Sequence, residues 1–193
     1  MEFIVEKIGM SRTVDVPSVP VTLLKVIDTK VCEVREDGKA LVAYNSSKKL
    51  NKSIEGQQTK YGVSKEFNKF MTIEVAEGTE AGELNTAVLA ESAVVKTTLN
   101  TKGRGFQGGM KRHGFSGGPA EHGHRFGRRI GSIGNAEWPG RVQPGKKMPG
   151  QYGNAKTTVK NEVISYDATN GILVLKGSIP GHNGARGLVR IVK

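Results

Sequence analysis

In the first hundred positions the apolar residues fall into short runs separated by polar turns, which is the pattern of strands. Phe3 to Gly9 is one run, and VPVTLLKVI (Val19 to Ile27) is rich in the β-branched residues that suit a pleated, half-buried surface. Thr29 to Val34 continues it. KALVAY (Lys39 to Tyr44) follows a Glu-Asp-Gly turn at Glu36 to Gly38, and an Asp-Gly pair between apolar runs is a hairpin cue. Ser46 to Ser64 is polar and lysine-rich and predicts a surface loop with room for one helical turn. Phe67 to Val75 predicts another strand. Leu84 to Val95 reads two ways: Leu84, Val88 and Glu91 allow a short helix, while VVKTTLNT from Val94 alternates like a strand.

Strand patterns return at Thr157 to Tyr166, at Gly171 to Lys176 across a DATNG turn, and at Leu188 to Val192. Strands on both sides of one interruption predict a mainly β fold, a small closed barrel whose halves are joined by an excursion. The expected organisation is a globular domain from 1–100 and 152–193, with a polar surface loop at 46–64, and an inserted extension at 101–151. No internal repeat is visible.

Composition isolates the extension. Residues 101–151 contain 14 of the 26 glycines and ten Lys or Arg against Glu121 and Glu137, a net +8 out of +11 for the chain. Such a segment cannot bury enough apolar surface to offset the entropy of ordering itself. It needs a polyanion to fold against, and RNA fits. The remaining 142 residues carry 19 basic and 16 acidic residues and are long enough for a real core.

Other features set bounds. The single cysteine, Cys32, excludes an internal disulfide and suits a buried, reduced thiol. Glu6 and Lys7 interrupt the first apolar run, so no signal peptide is expected, and no run approaches the roughly 20 apolar residues that span a membrane. A cytoplasmic protein is the expectation.

Two nucleotide-like motifs fail in context. Gly103-Arg-Gly105-Phe-Gln-Gly108 spells a dinucleotide fingerprint, but the glycines and proline after it forbid the long helix that motif requires. Gly140 to Lys146 approaches a P-loop, yet Lys147 stands where a Ser or Thr hydroxyl should reach magnesium. His113, His122 and His124 could in principle hold a metal or do acid/base work on RNA. Glu121 is the one carboxylate nearby, and the surrounding cations repel a metal ion. No cofactor, metal or catalytic residue is predicted, and the chain does not read as an enzyme.

The basic residues carry the argument instead. Six of the ten arginines lie in the extension: Arg104, Arg112, Arg125, Arg128, Arg129 and Arg141. Arginine binds phosphate bidentately and stacks on bases. Phe106, Phe115, Phe126, Trp138 and Tyr152 are interleaved with them, as expected where bases are stacked rather than read in a groove. A solvated tail has no need of those aromatics. The expected RNA contacts are Lys102, Arg104, Lys111, Arg112, His113, His124, Arg125, Arg128, Arg129, Trp138, Arg141, Lys146 and Lys147.

The run TKGRGFQGGMKR (Thr101 to Arg112) resembles the signature of the universal large-subunit ribosomal protein three (L-three) family in its bacterial form. Ordered matches span nearly the whole chain: KIGMSR (Lys7 to Arg12), SKKLNK (Ser47 to Lys52) and HGHRFGRRIGSIG (His122 to Gly134). PGRVQPGKKMPGQYGN (Pro139 to Asn154) and LVLKGSIPGHNG (Leu173 to Gly184) complete them. The resemblance implies a translation-protein barrel on the large subunit, with an extension threading toward the peptidyl transferase centre. It implies binding to the large-subunit rRNA near its 3′ end, neighbouring ribosomal proteins as partners, and a role early in assembly. It also makes Gln151 the candidate for side-chain amide methylation by a glutamine methyltransferase. A generic RNA chaperone, or an RNA-modifying enzyme built on the histidines, stands as the alternative. Ile130, Trp138 and Gly56-Gln-Gln58 depart from the family pattern, the last within the surface loop.

Overall fold

The computed structural model describes residues 1–14, 16–35, 37–46, 50–76 and 78–192. The chain divides into two compact units, Met1–Asn100 with Lys156–Lys193, and Thr101–Ala155. The first unit opens with β1 (Glu2–Arg12), β2 (Pro20–Val26), β3 (Thr29–Val34), β4 (Lys39–Tyr44) and helix α1 (Lys52–Tyr61). It continues with β5 (Lys69–Glu74), β6 (Gly82–Glu83), a short helix α2 (Val88–Glu91) and β7 (Val94–Asn100). The second unit holds β8 (Phe106–Gln107), α3 (Gly109–His113) and β9 (Gly150–Gln151). The chain then returns to the first unit with β10 (Lys156–Asp167), β11 (Ile172–Lys176) and β12 (Arg186–Ile191).

Six strands close an antiparallel barrel in the order β1-β12-β7-β10-β11-β2, three from each side of the insertion. The mainly β fold and the closed barrel expected from the sequence are both present. Inward side chains pack as cross-strand rows: Phe3 lies opposite Val189, and Val189 opposite Thr97. Phe3, Leu24, Leu173, Leu175 and Val189 are fully buried, each contributing about 1.5–3 kcal/mol relative to exposure. Gly187 is required by space, because a Cβ there would run into the Thr98 carbonyl oxygen and the Leu99 side chain. The Lys7 ammonium is buried at one end and donates to the Ile179 carbonyl at 2.6 Å.

A second sheet, in the order β5-β4-β3-β6, was not distinguished by the strand pattern. The run from Val19 to Val34 reads as continuous in sequence but supplies β2 to the barrel and β3 to this other sheet. Val31, Val42, Tyr44 and Ile73 of the second sheet join the barrel residues in one hydrophobic cluster. Ile4 is buried with them, at the opposite parity from Phe3 and Val5. That is why Phe3, Ile4 and Val5 are consecutive apolar residues rather than alternating ones.

The β3–β4 hairpin forms where expected, with Gly38 at φ 69° and the Arg35 amide donating to Lys39 at 2.8 Å. Glu36 of that turn, and Ser47 to Lys49 of the SKKLNK match, lie outside the described residues. The polar 46–64 stretch corrects the expectation of a loop with one turn, since α1 runs for ten residues. Its anchor is a buried glutamine: the Gln58 amide donates to the Phe67 carbonyl at 2.8 Å, and Gly62 caps the helix at φ 62°. A helix held by one amide shows no apolar stripe for periodicity to detect. The Leu84–Val95 ambiguity resolves into both readings in succession, α2 and then β7. Cys32 is half-buried, and that burial pushes its thiol pKa up, away from reactive thiolate.

Candidate nucleic-acid interface

Residues 101–155 are organised by backbone pairing at their two ends. The Thr101 amide donates to Ala155 at 2.9 Å, Arg104 to Tyr152 at 2.8 Å, and Tyr152 to Gly105 at 2.9 Å, while Phe106 lies opposite Gln151. Gly153 makes this closeness possible: it sits at φ 78°, and a Cβ there would meet the Lys102 carbonyl. Further along, the Arg112 guanidinium donates to the Met148 carbonyl at 2.6 Å, and the His113 ring nitrogen lies 3.0 Å from the same oxygen. These two half-buried side chains tie the outgoing and returning arms together.

The fingerprint glycines lead into α3, which is five residues long and ends at Gly114 in the left-handed conformation. The P-loop-like stretch forms a turn, with Lys146 donating to Gln143 at 3.3 Å, and no helix follows it among the described residues. His124 accepts the Phe126 amide at 3.3 Å through Nδ1, and His122 sits at φ 58°. Among the described residues no three His, Cys, Asp or Glu side chains gather as metal ligands.

No described residue between 101 and 155 contributes a buried apolar side chain. Several apolar groups face outward: Trp138 is 85% exposed and Phe106 72%, and Phe126, Ile133 and Val142 are also exposed, while Met110, Phe115, Ile130 and Met148 are half-buried. Ring pairs recur beside the histidines, His113 with Phe115 and His124 with Phe126, each at 6.0 Å between centroids. The Arg104 guanidinium lies 5.4 Å from the Tyr152 ring centre. Trp138 makes no ring–ring or cation–π contact among the described residues.

Lys102, Arg104, Lys111, His124, Arg125, Arg128, Arg129, Arg141, Lys146 and Lys147 are exposed, as is Gln151. Among the described residues none of the ten extension cations forms an ion pair; the ion pairs present all belong to the first unit. The electrostatic result is an uncompensated field on a thin scaffold with exposed rings. It can neutralise phosphates and stack bases. Sequence reasoning missed the inward turn of Arg112 and His113. It also missed the exposed Ile133 and Val142, which no motif marks.

Comparison with known proteins points to one family. The family profile described as Ribosomal protein L3 matches residues 44–169. The chain is 69% identical to the large ribosomal subunit protein uL3 of Wolinella succinogenes and 64% identical to that of Campylobacter jejuni, each over 100% of both chains. It is 40% identical to the Thermotoga maritima protein of the same name, covering 97% of this chain and 95% of that one. The chain belongs to the ribosomal protein L3 family.

Proposed function

We propose that this chain is a structural constituent of the large ribosomal subunit in the cytoplasm, with no chemistry of its own. The observation that carries this is the extension: ten cations without a carboxylate partner among the described residues, and no buried apolar side chain, in the same chain as a fully cored barrel. That combination wants an RNA mould. The barrel docks and positions. The extension binds large-subunit rRNA directly, near its 3′ end, and reaches toward the peptidyl transferase centre, supporting early assembly among neighbouring ribosomal proteins. Gln151 is exposed on β9 and is open to a glutamine methyltransferase before the RNA closes over it.

Two measurements test this. The protein should co-sediment with the large subunit and stay through a moderate salt wash; loss in the first wash would sink the threading role. In purified full chain, Arg125→Gln, Arg128→Gln and Arg129→Gln together should lower the salt slope of binding to a 3′ large-subunit rRNA fragment by about 2 to 3, at ~0.7–0.9 per phosphate. Equal affinity for unrelated RNA would favour a generic chaperone instead.

A further inference from the structure

The charge of the first unit is unevenly placed. Strands β7, β10 and β12 carry five basic residues and two acidic ones, while the rest of that unit has fourteen of each. The whole net charge of the globular unit therefore sits on three adjacent strands of one barrel wall.

Register sharpens this into a pattern. Arg190 lies directly opposite Lys96, and Lys96 directly opposite Lys160, so three cations share one cross-strand row. Two residues along, Leu188, Thr98 and Thr158 form the next row, with the two threonine hydroxyls 2.8 Å apart. Beyond them Lys156 lies opposite Asn100, and Arg186 joins those two in lining one cleft. Directly opposite residues project from the same face of a sheet, and successive rows on that face are about 6.7 Å apart.

Like charges directly opposite one another destabilise a sheet. Carboxylates are few and each is already engaged: Arg190 meets Glu74 at 2.6 Å, Arg186 meets Glu6 at 2.8 Å, and Glu162, one row beyond Lys160 on the same face, meets Lys176 at 2.7 Å. Lys96, Lys156 and Lys160 are exposed and have no ion pair among the described residues. Lysines are common on sheet edges as a guard against strand pairing, but a closed barrel wall has no edge to guard.

We infer that the outward wall of β7, β10 and β12 is a second RNA-docking surface, on the barrel itself, which holds sugar-phosphate backbone between its two basic rows. The Thr98 and Thr158 hydroxyls between those rows are suited to phosphate or ribose oxygens. The inference rests on the RNA-binding role proposed above but concerns different residues. An acidic protein segment is the competing occupant. RNA is favoured because the cations lie in parallel rows with hydroxyls between them, and because Leu188 packs against the core, which leaves Ile164 near the far end of β10 as the exposed aliphatic of the three strands.

The test uses the full chain and a 3′ large-subunit rRNA fragment. Lys96→Gln, Lys156→Gln and Lys160→Gln together should lower the salt slope of binding by about 2 to 3 while leaving the circular dichroism spectrum unchanged. A control set elsewhere on the same unit, Lys25→Gln, Lys65→Gln and Lys69→Gln, should leave the slope alone. Lys96, Lys156 and Lys160 should also be shielded from amine acylation in the binary RNA complex. An unchanged slope for the wall variant, alongside a reduced one for the Arg125, Arg128 and Arg129 variant, overturns the wall and leaves the general function standing. Unchanged slopes in both overturn the two together. An equal drop in the control, or shielding found only in whole subunits, assigns the wall to bulk charge or to a protein neighbour and overturns it.

Discussion

The barrel unit and the extension are one chain held together by opposite means. In the barrel, Phe3, Leu24, Leu173 and Leu175 are removed from water on strands whose every neighbour is paired. In 101–155 the backbone pairs at the base, Arg112 and His113 clamp the arms through hydrogen bonds, and no apolar side chain is fully buried. Hydrophobic burial is the main favourable term in folding, so the second region has no store of stability to match the first. The difference shows that definite shape need not mean intrinsic stability; the shape can be completed by a partner. The sharpest check is amide hydrogen exchange on the free chain. Core amides of β1, β7 and β11 should exchange only through global opening, at ~5–15 kcal/mol. Amides of 101–155 should exchange faster by several powers of ten and slow down when RNA is added. Equal protection of both regions in the free chain would erase the contrast.

A pair of truncations probes the same contrast on a smaller scale. Leu175 is fully buried in the barrel, and Leu175→Ala should cost about 2–5 kcal/mol in urea unfolding. Phe106 is the larger side chain but is 72% exposed, and Phe106→Ala should change unfolding by less than about 0.5 kcal/mol. A comparable loss at Phe106 would mean that the extension has a core of its own.

How much of this could be read in advance follows the same division. The barrel strands were legible because each carries its own apolar signal, and the two flanking sets had to meet across the insertion. What could not be read was assignment to a sheet: β2 and β3 look alike in sequence, and only pairing sends them to different sheets. Helix α1 was hidden because Gln58 anchors it through an amide. In the extension the cations and rings stood out by composition. The use of Arg112 and His113 as an internal clamp on Met148 did not, because a hydrogen bond to a carbonyl 35 or 36 residues away leaves no local trace. The basic wall was invisible for a related reason. Lys156 and Lys160 share a parity that sequence shows, whereas their alignment with Lys96 and Arg190 is a matter of register.

The smallest expected effect lies inside the barrel. Thr97 is fully buried in the row with Val189, and its Oγ1 has no hydrogen-bond partner among the described residues. A buried hydroxyl without a partner costs about 1–3 kcal/mol of desolvation, whereas a methyl of similar size costs nothing there. Thr97→Val should therefore stabilise the barrel by about 1 kcal/mol, read as a rise of about 3 °C in the thermal midpoint. Because the side chain points into the barrel, exchange in 101–155 and the salt slope of RNA binding should both stay as they were. A fall in the midpoint would show that the hydroxyl is satisfied in solution. A change in the extension would be more instructive, since it would mean that barrel stability feeds into a segment proposed to take its order from RNA.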